Sequence, residues 1–223
     1  KISEAFGATC FETLTGFKYI GEKIKEWEQH NNPYEFVMGA EESLGYLIGT
    51  HSRDKDGIIS ALMLAELALH LKQQNKTLID LLFEIYVQYG LFNEDQISLS
   101  FPPTEEGFAK MKQVMKKLRE QPLTEIAQSS VIQSLDYDNG EGLDHETGTP
   151  TKLDLPKSNV LGFITADKSR YFIRPSGTEP KVKIYAMLQQ TVEKPDSQAL
   201  ERLKMETKKR LEQLKSLLES FAQ

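Results

Sequence analysis

Residues 171–185, with the sequence YFIRPSGTEPKVKIY, carry the clearest structural signal in this chain. The runs at 171–173 and 182–185 are typical of short β-strands, because aromatic and β-branched residues dominate them. The Pro-Ser-Gly between the two runs is typical of a hairpin turn. The sequence therefore predicts two strands joined by a tight loop in the last third of the chain.

The loop between these strands has the donors that a phosphate group needs. The guanidinium of Arg174 matches phosphate oxygens two at a time, and Ser176 and Thr178 add hydroxyl donors. Pro175 favours an extended backbone at the residue before it, and Gly177 permits a positive φ, so we expect successive N–H groups to converge on an anion. By spacing alone, an ordinary turn without a ligand is an equally good interpretation.

A family resemblance favours the phosphate interpretation. The string from Ile173 to Tyr185 resembles the phosphate-binding loop of the α-D-phosphohexomutase family. The resemblance implies that the following residues grip the phosphate of the substrate: Arg174, Ser176, Gly177, Thr178 and Lys183.

Composition and charge narrow the class of protein. The chain has 223 residues, of which 39% are hydrophobic and 27% charged, which suits two soluble domains of about a hundred residues each. A net charge of -6 gives no reason to expect a nucleic-acid partner. Cys10 is the single cysteine, and no apolar run approaches the ~20 residues that cross a bilayer. We expect a cytoplasmic protein with no membrane partner.

The spacing of apolar residues and the positions of glycine and capping residues predict an α/β layered domain over residues 1–92, incomplete at its N-terminus. Asp56 is expected to cap a helix that is apolar on nearly every side and therefore buried, and Thr77 and Asp80 to open the next helix. The predicted elements are strands at 8–13 and 35–38 and helices at 16–29, 58–71 and 77–89.

The remaining residues, 93–223, predict an α+β domain with a mainly antiparallel sheet and two helices. One helix begins at Thr104, and the other runs from an Asp196-Ser197 cap to Phe221. The second helix is expected to lie across the sheet, although a coiled-coil partner is the alternative. The expected strands are 96–101, 130–137, 159–166, 170–174 and 181–188, with a polar loop at 138–158.

The segment 136–140 begins like a calcium loop. The twelfth position of that loop requires Glu, but Thr147 occupies it, so a hairpin turn is the better interpretation. His51, His70 and His145 share no ligand spacing with one another, and no metal site is predicted in this chain.

An acidic segment in the first domain suits a sugar. Glu41, Glu42 and Ser43 lie between Gly39 and Gly45, and carboxylates accept hydrogen bonds from neighbouring hydroxyl groups. A solvated acidic turn is the alternative. The segment resembles the sugar-binding loop of the phosphohexomutases, which implies that Glu41 and Ser43 contact the sugar ring.

Two further segments resemble elements of the same family. The segment from Leu14 to Lys18 is similar to a loop that adapts to both orientations of the sugar phosphate. The segment 53–57 is similar to an element at the head of a buried helix, where a lysine transfers protons in some members. The resemblance implies substrate contacts from Thr15, Gly16, Lys18 and Arg53. Lys55 is a candidate substrate contact or acid/base group, and a structural ion pair at the helix start is the alternative.

The resemblance covers most of the third domain and all of the fourth domain of a phosphoglucomutase or phosphomannomutase. It implies an isomerase that interconverts hexose 1-phosphates and hexose 6-phosphates through a phosphoserine enzyme and a bisphosphate intermediate. Neither the phosphoserine loop nor the magnesium loop of the family occurs here. We therefore expect a C-terminal fragment, inactive alone, whose partners are hexose phosphates and the missing N-terminal domains.

The resemblance also implies Mg²⁺ and glucose 1,6-bisphosphate as cofactor and activator of the full-length enzyme. The loop sequences are more similar to those of glucose and mannose mutases than to those of glucosamine mutases. They do not exclude pentose phosphates as substrates. A non-catalytic sugar-phosphate-binding module or pseudoenzyme is the alternative function.

Overall fold

The chain divides into two units, Lys1–Glu84 and Ile85–Gln223. A computed structural model describes residues 1–14, 16–29, 32–41, 44–194 and 197–222. No helix within these ranges is long and apolar enough to cross a membrane.

The first unit is mainly helical around a small antiparallel sheet. Strands β1 and β2 pair antiparallel, with Gly39 opposite Leu47. Helix α2 buries Phe17 and Ile24 against Leu47. The elements are α1 (Ile2–Ala5), α2 (Phe17–Gln29), β1 (Met38–Ala40), β2 (Tyr46–Ile48), α3 (Gly57–Gln73) and α4 (Leu78–Tyr89), whose last five residues belong to the second unit.

Both predicted helix starts in this unit are confirmed. The carboxylate of Asp56 accepts hydrogen bonds from the N–H groups of Ile58 and Ile59, which satisfies donors that the first turn of α3 leaves open. At α4, the Thr77 hydroxyl accepts from the Asp80 N–H while the Asp80 carboxylate accepts from the Thr77 N–H. This reciprocal pair is a capping box with Asp in the place of Glu.

The predicted strand at 8–13 is wrong, and the one at 35–38 is displaced. Residues 8–13 form no strand; Phe11 instead packs against Trp27 and Tyr34, with ring centroids 4.9 and 4.8 Å away. Strand β1 begins only at Met38, because its ladder with β2 covers Met38–Ala40. A strand needs a paired neighbour, and a residue pattern alone does not supply one.

The prediction that α3 is buried on nearly every side is also wrong in this structure. Leu71 is its one buried residue, whereas Ile58 is 84% exposed and Leu62 61% exposed. In the first unit α3 packs on β2, and this contact covers only part of its surface. Helix α3 therefore has more apolar surface than its described neighbours cover.

The second unit is an antiparallel sheet with two long helices packed on it, as predicted. The strand order is β3-β10-β9-β8-β5-β6-β7, and β4 pairs with β5. Helix α5 begins at the predicted cap, Thr104, whose hydroxyl accepts from the Gly107 N–H. The elements are β3 (Leu91–Ser100), α5 (Glu105–Glu120), β4 (Glu125–Ile126), β5 (Ser129–Asp136), β6 (Glu141–Asp144), β7 (Pro150–Lys152), β8 (Leu161–Thr165), β9 (Arg170–Pro175), β10 (Lys181–Gln190) and α6 (Ser197–Phe221).

The region 138–158 is not the uniform polar loop that the sequence predicts, because it contains β6 and β7. The hairpin turn predicted at 136–140 is confirmed: Gly140 has a φ of +82° and donates its N–H to the Asp136 carbonyl. Asp136 then pairs with Glu141 at the start of β6. Both strands are short and largely exposed, so they lack the apolar alternation from which strands are recognised.

Helix α6 lies across the sheet against β3 and β10, which confirms the interpretation favoured over a coiled coil. Its Leu211, Leu214 and Leu218 are buried in the same core as β10. Each such leucine contributes roughly 1.5–3 kcal/mol when fully buried.

The apolar pattern of α6 is interrupted at Thr207, which is itself fully buried. Its hydroxyl donates to the Leu203 carbonyl and accepts from the Asn93 amide, so a buried hydrogen bond joins α6 to β3.

A polar network fastens α6 to the turn between β8 and β9. The guanidinium of Arg210 donates to Asp167 and Glu206, and Asp167 also accepts from the Thr165 hydroxyl and the Ser169 N–H. Burial alone would raise the pKa of Asp167, but these hydrogen bonds outweigh it and hold the pKa well below its usual range. The ionised carboxylate is therefore the form that the fold stabilises.

We expect Asp167→Asn to lower the melting temperature at pH 7 and to flatten its dependence on acid pH. A carboxyl whose pKa is depressed in the folded state stabilises the fold above its unfolded pKa of about 3.9. That contribution declines once the pH falls below this value and disappears only below the depressed folded-state pKa, so the wild-type and variant curves should approach each other towards pH 2. Thermal unfolding followed by circular dichroism from pH 7 to pH 2 measures this.

Glu201→Gln is the matched control, since Glu201 forms an ion pair with Lys204 on an exposed turn of α6 and no other ion pair among the described residues. It should leave the melting temperature nearly unchanged at each pH. Parallel curves for the wild type and Asp167→Asn would show that the Asp167 carboxylate does not carry the acid sensitivity.

Candidate functional site

The predicted site residues lie in both units of the chain. Thr15 and Ser43 fall outside the described residues. The first unit contains Gly16, Lys18, Glu41, Arg53 and Lys55, and the second contains Arg174, Ser176, Gly177, Thr178 and Lys183.

The loop predicted to bind phosphate joins β9 to β10 and is closed by backbone hydrogen bonds. The Ser176 N–H donates to the Lys181 carbonyl at 2.8 Å, and the Lys181 N–H donates to the Glu179 carbonyl at the same distance. Pro180 is buried, and its carbonyl accepts from the Phe101 N–H just after β3. Three neighbouring strands therefore hold the ends of a short loop in place.

Gly177 does not adopt the positive φ expected from its place in the sequence. The loop closes through its Ser176 and Lys181 hydrogen bonds without a residue in the left-handed region. A Cβ added at Gly177 would meet nothing within 4 Å. The predicted backbone nest depends on a positive φ at Gly177 and is therefore not supported. The space around position 177 is free of neighbouring atoms from the described residues.

The hairpin register brings two cations together. Arg174 on β9 is the direct cross-strand partner of Lys183 on β10, so the two side chains share one face of the sheet. Directly opposed side chains have Cβ atoms about 4.5–5.5 Å apart, and like charges in such a pair repel. Within the described ranges, neither side chain forms an ion pair within 4 Å.

The nearest acidic group in the loop is already engaged. Glu179 forms an ion pair with Lys181. Hydrogen bonding and attraction from Lys181, with a smaller contribution from Lys183, hold the pKa of Glu179 below its ordinary value. Ser176 accepts a long hydrogen bond of 3.4 Å from the Thr178 N–H. The loop thus presents cations and hydroxyls with one carboxylate that is neutralised by its neighbour.

A cleft of about 690 Å³ borders this loop, and its size is typical of ligand pockets. Helix α5 supplies the other wall with lysines at helical spacing, Lys112 and Lys116. Arg119 lies in the same cleft, where it binds Asp136 and Asn159. These basic residues of α5 had not been predicted, because only tertiary packing brings the helix to the loop.

In the first unit, Glu41 and Lys55 lie together. The Glu41 side chain is only 12% exposed, and its Oε2 is 3.9 Å from the Nζ of Lys55. The same ammonium is 3.1 Å from the Asp54 carboxylate and 5.6 Å from the centroid of the Phe17 ring. Lys55 therefore lies between two carboxylates and an aromatic face, which fits the ion-pair alternative as well as a substrate contact.

Arg53 and Lys18 have protein partners of their own. The guanidinium of Arg53 binds both carboxylate oxygens of Glu28 at 2.6 Å and donates to the Thr50 carbonyl at 2.7 Å. Lys18 places its Nζ 4.7 Å from the centroid of the Tyr19 ring. Gly16 has a φ of +126° and accepts from the Tyr19 N–H at the start of α2.

Metal ligands are not assembled in the described part of the chain. No group of three or more His, Cys, Asp or Glu side chains within it could hold a metal ion. These residues therefore do not fit the Mg²⁺ that the family resemblance implies for the full-length enzyme.

Two family models match the chain. Residues 1–89 match the α/β/α domain III of phosphoglucomutase/phosphomannomutase, and residues 115–210 match the C-terminal domain of the same family. The first match covers the whole of the first unit and the first five residues of the second, and the second match lies within the second unit.

Curated relatives from staphylococci are similar to the chain. A phosphoglucomutase from Staphylococcus epidermidis is 36% identical over 183 residues, which cover 79% of this chain and 32% of the relative. One from Staphylococcus saprophyticus is 34% identical and covers 85% of this chain and 34% of the relative. The chain thus spans about a third of the length of the curated relatives it matches.

A solved structure shares the fold. The open form of the exocytosis-sensitive phosphoprotein pp63/parafusin from Paramecium, described as a phosphoglucomutase, aligns with a TM-score of 0.58 and 20% identity. The alignment covers 99% of this chain and 35% of that one. With the matches to domain III and the C-terminal domain, these similarities show that the chain belongs to the phosphoglucomutase/phosphomannomutase family.

Proposed function

We propose that this chain is the substrate-binding C-terminal part of an enzyme that interconverts hexose 1-phosphates and hexose 6-phosphates. The observation that supports this most strongly is the cross-strand pair of Arg174 and Lys183 beside the hydroxyls of Ser176 and Thr178. This set of donors suits a dianionic phosphate ester, held at the end of the sugar that is not reacting.

An anion between the two cations accounts for their placement. Like charges directly opposed across strands are unfavourable, so the bare hairpin carries a repulsion that a phosphate would convert into two attractions. Hydrogen bonds to charged groups contribute about 1.5–3 kcal/mol each, which is enough for specific recognition of a small ligand.

The sugar would be held by the first unit. Glu41 can accept hydrogen bonds from neighbouring ring hydroxyls, and its limited exposure makes those bonds stronger than in open water. Glucose 1,6-bisphosphate would fit the same residues, since it carries the same ring and a phosphate at each end.

Such binding serves catalysis through positioning. Phosphoryl transfer depends mostly on orientation and electrostatic stabilisation, so contacts remote from the transferring group raise the rate by fixing the sugar. In the proposed cycle, a phosphoserine in another domain phosphorylates the free hydroxyl, the bisphosphate turns around, and the serine recovers the other phosphate. Residues of this chain would bind both orientations.

Other domains of the same longer protein are the proposed partners. Several large apolar side chains of α3 and α4 are exposed to solvent, among them Ile58, Leu62 and Ile79, and exposed apolar surface of this kind can serve as an interface. The relatives are about three times as long as the matched region, which leaves room for domains that cover this surface.

We expect Arg174→Met to weaken the binding of glucose 1-phosphate and inorganic phosphate to this chain at least about tenfold, the equivalent of one charged hydrogen bond. Lys183→Met should weaken both ligands as well, because it removes the other cation. Titrations followed by heteronuclear NMR suit the weak affinities expected.

Arg170→Met is the matched control for these variants. Arg170 lies at the other end of β9, opposite Met187, so its removal changes the net charge equally. It should leave phosphate binding nearly unchanged. An equal loss of phosphate affinity in Arg170→Met and Arg174→Met would show that general electrostatic attraction, and not a specific site, accounts for the binding.

We also expect the purified chain to show no conversion of glucose 1-phosphate to glucose 6-phosphate, because the family's nucleophile loop is absent from its sequence. A coupled dehydrogenase assay measures this. Conversion that Arg174→Met abolishes would contradict the expectation, whereas conversion unaffected by the variant would identify a contaminating mutase. If a longer protein with the additional domains also bound ligand without turnover, the binding-module alternative would replace the enzyme.

A further inference from the structure

Gly45 lies where a side chain has no room. A Cβ built on it would be 2.3 Å from Cδ and 2.8 Å from Cγ of Lys55, and 2.9 Å from Oε2 of Glu41. Contacts below 3.0 Å are essentially never seen for real Cβ atoms, so a larger residue at this position requires the middle of the lysine side chain to shift.

The requirement for glycine here is steric and not conformational. Gly45 does not have a positive φ, so other residues could adopt its backbone angles. Its position is fixed because its carbonyl accepts from the Glu41 N–H at 2.8 Å. The backbone therefore has little freedom to move away from an added side chain.

The path of Lys55 over Gly45 is fixed at both ends. The next residue, Asp56, donates its N–H to the Tyr46 carbonyl at 2.7 Å, which holds the backbone of Lys55 beside the loop. At the other end the ammonium lies between Glu41, Asp54 and the ring of Phe17. The methylene groups between these points cross the face of Gly45.

We infer that Gly45 is a positioning residue of the sugar site, because its missing side chain lets Lys55 cross the loop and orient the Glu41 carboxylate. The inference rests on the proposed role of Glu41 in sugar binding. Lys55 then acts on the sugar through Glu41, by holding a poorly exposed carboxylate in one orientation. Since Lys55 is 48% exposed, alanine at position 45 would push it towards solvent without unfolding the unit.

The test compares Gly45→Ala, Lys55→Met and the double variant in the full chain. The readout is the ratio of affinities for glucose 1-phosphate and inorganic phosphate, which isolates the contribution of the sugar. Each single variant should lower the ratio about three- to tenfold, the range of one charged contact. The double variant should lower it by less than the two single losses combined, because both changes remove the Lys55–Glu41 contact, although a Cβ at position 45 also meets Glu41 Oε2 directly.

Gly57→Ala is the matched control. A Cβ at Gly57 meets nothing within 4 Å, its φ is not positive, and it lies two positions beyond Lys55. It should leave the ratio unchanged. An unchanged ratio in Gly45→Ala, or additive losses in the double variant, would overturn the inference.

A second readout does not depend on the ligand. Lys55→Met should shift the amide resonance of Glu41 in the wild type and shift it much less in the Gly45→Ala background. If this coupling is observed but the wild-type chain binds both ligands equally, the positioning stands and the proposed sugar site fails. If the Lys55→Met shift is equal in both backgrounds, Gly45 does not position Lys55 and the inference fails.

Discussion

The pairing of β9 with β10 is the constraint on which the rest of the second unit depends. In this register Ile173 and Ile184 face the core, and Arg174 and Lys183 share one face of the sheet. A slip by one residue would turn every side chain of a strand to the opposite face, burying cations and exposing isoleucines. The hydrophobic core therefore enforces the same register that brings the two cations together, so stability and the proposed phosphate site have one origin.

Features set by neighbouring residues could be predicted from the sequence. The caps at Asp56, Thr77 and Thr104 depend on hydrogen bonds within three residues, and each one forms. Features that need a distant partner could not be predicted. Residues 8–13 have the composition of a strand but no paired neighbour among the described residues. The short strand β6 forms on the edge of β5, and β7 forms on the edge of β6.

The candidate site also combines features that local sequence predicts with features that depend on distant residues. The sequence indicated the Arg174 loop, since a hairpin brings residues at both strand ends together, but it gave a wrong conformation for Gly177. The contact of Glu41 with Lys55 joins two loops, and the need for glycine at position 45 arises only once both are folded. Likewise, the lysines of α5 meet the loop through packing of the helix on the sheet. No local pattern encodes these contacts.

A crystal structure of this chain with glucose 1-phosphate tests the proposed phosphate site most directly. We expect phosphate density between the Arg174 guanidinium and the Lys183 ammonium, within hydrogen-bond distance of the Ser176 and Thr178 hydroxyls. Phosphate bound instead to Lys112 and Lys116 in the cleft beside α5, with no density between the paired cations, would contradict it.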